Sequence, residues 1–303
     1  MNNEIKKQVF ITGSTGFVGK NLIYFFNSKL IFFNYIRNTI VDIKQEIVIH
    51  LAGKAHDLKK VSNSDEYYDV NTNLTKAVFE KFLVSDANLF IFLSSVKAAA
   101  DILEIELTES YKANPITHYG KSKLLAEDYI LSKQIPVGKR VYVLRPCMIH
   151  GPGNKGNLNL LYKIVKKGIP WPLGAFENNR SFCSIDNLCF IINELIENDK
   201  IPSGVYNIAD DEAISTNQLI SFIAEGQGKK SYILKIPKFI IILLSKLGDL
   251  FRLPLNTERI NKLTENYIVS NKKIKLAINK PLPISTKEGI MKTVNSFGKS
   301  SIH

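Results

Sequence analysis

A tyrosine followed four residues later by a lysine is the pattern in this sequence whose types and spacing could transfer a proton. On a helix this spacing places both side chains on one face, where the ammonium group can lower the pKa of the phenol. Such a tyrosine can exchange a proton with a substrate hydroxyl group. A chain with 12 Tyr and 40 Lys and Arg also produces the pattern by chance, so a nearby cofactor site must decide among the occurrences. The occurrences are Tyr119/Lys123, Tyr129/Lys133 and Tyr162/Lys166.

A glycine-rich segment near the start of the chain predicts that cofactor site. Gly13, Gly16 and Gly19 follow the apolar run "QVFIT" and precede a helical pattern, a context typical of a loop that binds a dinucleotide. Gly13 permits a tight turn, Gly16 lets the backbone approach a pyrophosphate, and Gly19 lets the helix pack on the strand. The free N–H groups at the start of the helix are expected to hold the phosphates.

The elements that must position these residues alternate between strands and helices. The runs "LIFFNYI", "EIVIHLAG", "NLFIFLSS" and "RVYVLRP" are apolar without alternation, as expected for strands covered on both faces, and helical patterns begin near Asp65 and at Tyr119. We therefore predict an α/β fold with a doubly wound parallel sheet of the Rossmann type. The connection between the first two runs is short for two parallel crossovers, so we expect an abridged edge of the sheet.

After about Pro146 the composition of the sequence changes, and segments rich in Gly, Pro and Asn, typical of turns, become frequent. This change predicts a smaller C-terminal substrate lobe beyond the carboxyl edge of the sheet, where ligands of such folds bind. We expect residues 1–150 to form the dinucleotide-binding domain and residues 151–303 mainly the substrate lobe. The segment from about 184 to 210 is expected to return to the sheet.

The composition is that of a soluble globular protein, with 45% hydrophobic and 22% charged residues among 303. The three cysteines contain no C-x-x-C pair, which argues against a disulfide framework or a zinc site and favours a reducing compartment. The polar start lacks an apolar signal core, and no apolar run reaches the ~18 residues of a membrane span. We expect a cytoplasmic protein without a metal site.

The excess positive charge lies in the last quarter of the chain. The net charge is +12, and residues 229–303 contain 15 Lys and Arg against 4 Asp and Glu, a net of +11. A nucleic-acid-binding surface would interleave these cations with stacking aromatic residues, and the sequence shows no such pattern. We therefore expect no nucleic-acid partner.

The same region contains the apolar stretch "IPKFIIILLSKLGDLFRLPL", in which Lys238 and Arg252 flank the apolar residues. An apolar helix flanked by cations is typical of peripheral contact with an anionic membrane, here the inner face. The alternative, which we favour, is a helix that packs in the core of the substrate lobe while its lysines aid solubility and attract an anionic substrate.

Taken together, the motifs resemble the extended short-chain dehydrogenase/reductases, specifically the NAD-dependent epimerase/dehydratase branch that modifies nucleotide sugars. The resemblance covers essentially the whole chain, and its details are most similar to bacterial enzymes of UDP-N-acetylhexosamines and their 4-keto-6-deoxy forms. The motifs are Gly13-x-x-Gly16-x-x-Gly19, "HLAG", "YYDVNTNLT", "FLSS", Tyr119-x-x-x-Lys123, "LRPCMIHGPG", "GIPWPLGAFENNRSF" and "RSFCSIDN".

The resemblance implies that Ser95, Tyr119 and Lys123 are the catalytic residues. Tyr119 carries the proton, Lys123 lowers its pKa and holds the nicotinamide ribose, and Ser95 binds the reacting oxygen. Ser94 is the alternative for the serine role, because a misalignment of one residue exchanges the two. Tyr129 and Tyr162 lack this placement, and we expect them to be ordinary helical tyrosines.

The resemblance also implies a cofactor site for NAD or NADP. No acidic residue occurs between Gly19 and Asp42, although a reader of the ribose 2′-hydroxyl is expected about 20 residues after the loop. Arg37 could meet a 2′-phosphate, which favours NADP slightly over NAD. The residues expected to contact the cofactor are Gly13, Thr15, Gly16, Phe17, Val18, Gly19, Arg37, Asp42, Ile43, Leu51, Ala52, Gly53, Asn71, Tyr119, Lys123 and Pro146.

For the substrate, the resemblance places Arg180 at the nucleotide diphosphate, a role that suits a bidentate guanidinium group, with a surface ion pair as the alternative. Related dehydratases carry acidic residues after the catalytic serine or threonine, whereas Val96 and Lys97 follow here, which disfavours dehydration. His50 is expected to be a core histidine, and the role of His150 stays open. The residues expected to contact the substrate are Ser95, Val96, Met148, Asn157 and Arg180.

These observations predict an enzyme that acts at C4 of a UDP-sugar in the synthesis of surface polysaccharide precursors. It is either a 4-epimerase that holds its cofactor tightly or a 4-ketoreductase that exchanges it, and we expect a homodimer. The alternative is a dinucleotide-binding regulator or assembly factor on the same fold. The intact Ser95, Tyr119 and Lys123 argue against a regulator, because sensing a dinucleotide needs no proton carrier.

Overall fold

The computed structural model describes residues 6–37, 39, 41–55, 64–154, 156–251 and 256–299. Its main element is a six-stranded sheet in which each pair of neighbouring strands is parallel, in the order β2-β1-β3-β4-β5-β8. The predicted Rossmann-type α/β fold is thereby confirmed. The strands of the sheet are β1 (Gln8–Thr12), β2 (Ile31–Asn34), β3 (Ile47–His50), β4 (Leu89–Leu93), β5 (Arg140–Pro146) and β8 (Gly204–Ile208), and β6 (Met148–His150) pairs separately with β7 (Phe182–Ser184).

Helices connect the strands and build most of the C-terminal half. A π-helical turn (Asp69–Asn73) joins α2 to α3, and a 3-10 turn (Val96–Ala98) follows β4. The helices are α1 (Phe17–Phe26), α2 (Asp65–Tyr68), α3 (Leu74–Val84), α4 (His118–Leu131), α5 (Asn157–Lys166), α6 (Ile185–Glu197), α7 (Thr216–Gly226), α8 (Lys238–Leu250), α9 (Thr257–Thr264), α10 (Lys272–Ile278) and α11 (Thr286–Lys299).

The central strands β3 and β4 are apolar at nearly every position because both faces of the sheet are covered there. Alternate residues of β4 point to opposite faces: Ile91 joins the cluster that includes α6, whereas Phe90 and Phe92 join the cluster that includes α3 and α4. All residues of β3 and β4 are buried. Uninterrupted apolar runs are the expected signature of such strands.

The expected abridgement of one sheet edge is also confirmed. The four residues of β2 are mostly exposed, and the described residues between β2 and β3 contain neither a helix nor a strand. The opposite edge is β8, which pairs with β5 from Tyr142 to Pro146. Residues 204–208 therefore lie in the sheet even though they follow part of the C-terminal half.

The C-terminal half has a core of its own, separate from the two clusters on the sheet. It is formed mainly by α5, α7 and α11, through residues such as Leu161, Ile223 and Ile290, and it also includes Trp171 and Ile260. We keep the division into a dinucleotide-binding domain and a substrate lobe as a proposal based on this separate core.

The expectation that the apolar helix packs in this core holds for Ile241 alone among the residues of "FIIILL", most of which are exposed. Of α8, Ile241, Ser245 and Gly248 are buried, and they form one stripe at spacings of four and three residues. The stripe contains two small residues, so α9 lies close to α8, and the Asp249 carboxylate accepts hydrogen bonds from the Thr257 amide (3.1 Å) and hydroxyl (2.5 Å). Most other apolar side chains of α8 face outward, and Arg252 lies outside the described residues. Within the described part of the chain, no helix is both long and apolar enough to cross a membrane.

Candidate active site

The glycine loop lies between β1 and α1, at the carboxyl edge of the sheet. Gly13 has a φ of 72°, and a Cβ atom on it would lie 2.7 Å from the Ala52 amide nitrogen. A Cβ atom on Gly19 would lie 2.4 Å from the Gly13 carbonyl oxygen and 2.6 Å from Ser14 Cα. Gly13 and Gly19 therefore allow the loop, the helix and the segment after β3 to meet without side chains between them.

The N-terminus of α1 is suited to an anionic group. The helix begins at Phe17, and its N-cap residue Gly16 has no side chain that could cap the first N–H groups. The first turn contains no acidic residue. The unpaired N–H groups and the positive end of the helix dipole favour phosphate at such a position. Thr15 is exposed on the loop, and Phe17 and Val18 are half-buried in the first turn.

The segment after β3, from Leu51 to Gly53, adjoins the glycine loop. The Ala52 amide donates a hydrogen bond to Thr12 Oγ1 at 3.1 Å. A Cβ atom on Gly53 would lie 2.9 Å from Lys123 Nζ and 3.2 Å from Asn71 Oδ1. Gly53 therefore leaves the space in which Lys123 and Asn71 approach the cofactor edge.

Asn71 lies in the π-helical turn and is fully buried. Its amide nitrogen donates to Ser122 Oγ (2.9 Å) and to the Lys54 carbonyl oxygen (3.1 Å), and its oxygen accepts from the Lys54 amide (2.8 Å). Ser122 Oγ in turn donates to the Tyr119 carbonyl oxygen at 2.9 Å. Asn71 thus holds the first turn of α4 in place through Ser122. π-helical turns frequently occur at functional sites.

Tyr119 lies in the first turn of α4, next to Ser95. Thr117 caps the helix by accepting a hydrogen bond from the Gly120 amide at 3.1 Å, and a Cβ atom on Gly120 would lie 2.4 Å from the Lys97 carbonyl oxygen. This close packing places the first turn of α4, which carries Tyr119, against the turn that follows Ser95. Removal of the hydroxyl from water raises the pKa of Tyr119, and the nearby Ser95 hydroxyl opposes that rise.

Lys123 follows Tyr119 by one helical turn and is buried. Its Nζ donates to the Leu93 carbonyl oxygen at 2.8 Å and lies 4.8 Å from the centre of the Phe92 ring. Burial lowers the pKa of Lys123 to about 8, and the nearby Glu127 carboxylate opposes the shift. The structure thus brings Ser95, Tyr119 and Lys123 together, although their catalytic roles remain proposals.

The two adjacent serines have different partners. Ser94 Oγ donates to the buried Glu127 carboxylate, which also accepts from Arg145 Nε at 3.1 Å and 3.0 Å. Ser95 Oγ accepts from the Lys97 amide at 3.2 Å and meets Tyr119. Ser94 is therefore occupied by a buried ion pair, and the geometry favours Ser95 as the serine that faces a substrate.

The two other Tyr-x-x-x-Lys pairs lie away from the glycine loop. Tyr129 and Lys133 both bond to Glu80 on α3, with 2.8 Å between Lys133 Nζ and the carboxylate, and these two partners lower the pKa of Glu80. Tyr162 packs in the core of the C-terminal half, with its ring centre 5.3 Å from that of Phe297. Both tyrosines serve packing or surface pairing.

Both histidines of interest are buried in hydrogen-bond networks. His50 lies between Thr12 Oγ1 (2.6 Å from Nδ1) and Thr75 Oγ1 (2.9 Å from Nε2), and burial, aided by the charge of Lys123, lowers its pKa to about 3. The expected core histidine is thereby confirmed. His150 Nδ1 lies 3.0 Å from Thr293 Oγ1, and the ring links β6 to α11.

The predicted substrate residues after Ser95 lie in the 3-10 turn, in β6, at the start of α5 and just before β7. Val96 is buried directly after Ser95, and Met148 is half-buried in β6. Arg180 Nη2 lies 3.4 Å from the Glu265 carboxylate, and Nη1 donates to the Lys262 carbonyl oxygen at the end of α9. The ion pair that we gave as the alternative is therefore present. Asn157 begins α5, and its side chain lies outside the described residues.

Lys97 is a site residue that the sequence reasoning missed. Its Nζ donates to the Asp101 carbonyl oxygen at 2.7 Å and lies 4.1 Å above the ring of Tyr267. Burial lowers the pKa of Lys97, with Glu265 and Asp101 opposing the shift. Its position two residues after Ser95 was the signal in the sequence that could have placed Lys97 near the site. Its contact with Tyr267 arises only from the tertiary fold.

The residues expected to choose between NAD and NADP lie beyond β2 and beside β5. Arg37 is exposed three residues after the end of β2, and Asp42 is exposed with its carboxylate 3.2 Å from Lys44 Nζ. Ile43 is buried in the core cluster on α3, which makes it a packing residue first. Pro146 is buried at the end of β5. Among the described residues, no group of three or more His, Cys, Asp or Glu is arranged to hold a metal ion.

A Rossmann sheet with a glycine loop, and a serine, tyrosine and lysine gathered at its carboxyl edge, is the arrangement expected of a dinucleotide-dependent enzyme. Residues 24–209 match the model of the NAD dependent epimerase/dehydratase family. Because this match covers more than half of the chain, the chain belongs to that family. The predicted family, enzyme class and nicotinamide dinucleotide cofactor are thereby confirmed.

Two curated relatives and one solved structure are similar over most of the chain. The UDP-glucose 4-epimerase of Vibrio cholerae is 27% identical, over 98% of this chain and 97% of its own. The N-acetyl-alpha-D-glucosaminyl-diphospho-ditrans,octacis-undecaprenol 4-epimerase of Escherichia coli O157:H7 is 29% identical, over 76% of this chain and 75% of its own. The Bordetella bronchiseptica enzyme WbmG, solved with NAD and UDP, has a TM-score of 0.75 at 15% identity, over 98% of this chain and 97% of its own. This last likeness shows the fold.

Proposed function

We propose that the protein is a 4-epimerase that acts on a UDP-sugar. The observation that carries the proposal is the placement of Tyr119 on α4 next to Ser95 after β4, with the buried Lys123 one helical turn away, at the sheet edge that holds the glycine loop. The similarity of the whole chain to a UDP-glucose 4-epimerase supports the reaction and the UDP-sugar. Bound NAD would accept a hydride from C4 and return it.

The chain's own residues move and hold the proton of the sugar hydroxyl. Ser95 binds O4, and Tyr119 removes its proton as the hydrogen on C4 leaves as hydride. Working near neutral pH requires the pKa of Tyr119 to fall well below the ordinary tyrosine value of about 10. Burial alone acts in the opposite direction. The charge of Lys123 and the positive nicotinamide are the groups we assign to lower this pKa.

The remaining polar contacts hold these groups in place. Asn71 and Ser122 fix the turn that carries Tyr119, and Gly53 leaves room for Lys123 to reach the cofactor. Arg180 is the residue we assign to the diphosphate. Its present partner Glu265 is a carboxylate that the diphosphate would replace or join.

Dehydration is not part of the proposed reaction. Val96 is buried directly after Ser95 and cannot transfer a proton, and Lys97 is held by the Asp101 carbonyl oxygen and the Tyr267 ring. The described chain therefore offers no carboxylate at these two positions. We assign the reaction to interconversion at C4 without loss of water.

A 4-ketoreductase is the second candidate, and the exposed Arg37 favours it because a guanidinium group there suits the 2′-phosphate of NADP. The nucleotide released when the purified protein is denatured distinguishes the two candidates. Tightly bound NAD or NADH supports the epimerase. A protein that is purified empty and then binds NADPH supports the ketoreductase.

The proposed reaction is tested directly with UDP-glucose and UDP-N-acetylglucosamine. We expect NMR to detect the 4-epimer in mixtures that contain the protein and NAD, with no product 18 mass units lighter than the substrate. A lighter product would contradict the absence of dehydration. If neither sugar is converted under any nucleotide condition while the dinucleotide binds, the C4 assignment fails.

The wider role that we propose is the supply of precursors for surface polysaccharides in the cytoplasm, as a homodimer. Exposed apolar side chains on α3 and α4, among them Val84, Leu125 and Leu131, support a second copy against these helices. Light scattering on wild type and on Leu125→Lys tests the dimer. A monomeric wild type at micromolar concentration contradicts it.

A further inference from the structure

The outward face of α8 exposes several large apolar side chains with Lys246 among them, and no described segment covers it. Phe239 and Leu250 are 71% and 73% exposed, and Leu243 lies between them on the same side of the helix. A helix that is apolar on all sides is normally buried. We call this surface the α8 face, and its members are Phe239, Ile242, Leu243, Leu247 and Leu250.

Cations surround the α8 face. The segment from Lys229 to Phe251 contains five lysines and one acidic residue, Asp249, and all five lysines are exposed. The Asp249 carboxylate is turned toward α9, where it accepts two hydrogen bonds from Thr257. The field beside the α8 face is therefore positive. The five lysines are Lys229, Lys230, Lys235, Lys238 and Lys246.

This charge distinguishes between the surfaces that could cover the α8 face. A second copy that docked through the same face would bring an identical set of lysines against it, and like charges at an interface oppose association. An anionic lipid surface offers both an apolar layer for the leucines and negative charge for the lysines. We propose that α8 lies on the surface of an anionic membrane, with the α8 face in the boundary between headgroups and acyl chains.

Docking in this way orients the site of the proposed function. Arg180 donates to the Lys262 carbonyl oxygen at the end of α9, and α9 packs directly on α8. The proposed diphosphate site therefore lies two helix layers from the lipid surface, near enough for a diphosphosugar carried by a membrane lipid. The docking itself is independent of the proposed chemistry, whereas this access to a lipid-linked substrate rests on it.

Sedimentation with vesicles tests the proposal on the full chain. Anionic vesicles of phosphatidylcholine with about 30% phosphatidylglycerol are compared with neutral vesicles of pure phosphatidylcholine. Both are tested at low and at high salt, because salt screens the attraction between lysines and anionic lipids. We expect binding to the anionic vesicles at low salt, weaker binding at high salt, and about tenfold less binding to the neutral vesicles.

Two double variants and a matched control locate the contact. Leu243→Ser with Leu250→Ser should lower the vesicle affinity about a hundredfold, and Lys238→Gln with Lys246→Gln about twentyfold. Leu276→Ser changes another exposed leucine, 81% exposed on α10 among lysines, and should bind as wild type does. Circular dichroism and thermal unfolding check that each variant is folded.

Three outcomes would overturn the proposal. The first is no binding of wild type to anionic vesicles at low salt. The second is binding that survives in the folded Leu243→Ser, Leu250→Ser variant, which would place the contact elsewhere. The third is a dimer in solution that this variant dissociates, which would assign the face to a second copy. Because the vesicle assay needs no turnover, loss of the proposed epimerase activity would leave its result unaffected.

Discussion

The central sheet and helix α8 carry similar apolar sequences and end in opposite environments. The run "LFIFL" of β4 is buried at every residue, whereas "FIIILL" of α8 buries Ile241 and exposes most of its neighbours. The strand has helices on both faces, and α8 has α9 on one side. An apolar run therefore predicts that a surface will be covered, but the neighbours supplied by the fold decide whether the protein itself covers it.

The largest effect is expected from closing the glycine loop beside the sheet. Gly19→Ala places a methyl group 2.4 Å from the Gly13 carbonyl oxygen, so the loop or the helix must move. We expect dinucleotide affinity to fall about a hundredfold or more, measured by NADH fluorescence titration. Gly298→Ala on α11, where the nearest atom is 3.8 Å from the new methyl group, is the control and should bind normally. Equal binding by both variants would remove the dinucleotide from this loop.

Truncating one phenylalanine in each region compares their burial directly. Phe90→Ala empties space in the fully buried core and should lower the free energy of unfolding by about 3–5 kcal/mol. Phe239→Ala removes an exposed ring of the α8 face and should change it by less than about 0.5 kcal/mol. Urea unfolding measures both. A large loss for Phe239→Ala would show that α8 is covered within the folded protein.

A smaller, pH-dependent effect is expected from His50 beneath the glycine loop. Its pKa is lowered to about 3 in the folded protein, against 6.5 ordinarily, so the folded state binds fewer protons than the unfolded state between these values. The contribution to stability is complete above about pH 6.5 and is lost as the pH falls toward 3, on the order of a few kcal/mol.

Replacing His50 by Gln should therefore flatten the dependence of stability on pH between about 6.5 and 4. The control Phe239→Ala removes an exposed side chain that does not titrate, and it should keep the slope of wild type. Thermal unfolding at a series of pH values measures both. An unchanged slope in the His50 variant would show that another group causes the acid sensitivity.

The sequence predicted the fold well because the signals of the sheet are local. Uninterrupted apolar runs marked β1, β3, β4 and β5, and the glycine spacing marked the turn into α1. The residues that hold the site in place depend on contacts between distant parts of the sequence, so local sequence patterns could not predict them. Asn71 meets Ser122 across 51 residues, and Lys97 meets Tyr267 from another part of the chain. The exposure of α8 was missed for the same reason.

The choice of Tyr119 over Tyr129 as the proposed proton carrier shows what a short sequence motif can and cannot predict. Both tyrosines lie on α4 and precede a lysine by four residues, and the two pairs are separated by ten residues. Tyr119 faces Ser95 at the sheet edge, whereas Tyr129 bonds to Glu80 on α3. The motif alone could not separate them, and the placement of the first pair after the serine strand could.

The most direct test of the proposed active site is therefore the turnover of Tyr119→Phe beside that of Tyr129→Phe, with dinucleotide affinity measured on both. Phenylalanine at 119 deletes the proton carrier, so we expect the rate of sugar conversion to fall by about a thousandfold or more while dinucleotide affinity stays within a few-fold. Tyr129→Phe should retain nearly full turnover. If Tyr129→Phe is the inactive variant and Tyr119→Phe converts the sugar normally, the site proposed at the sheet edge is wrong.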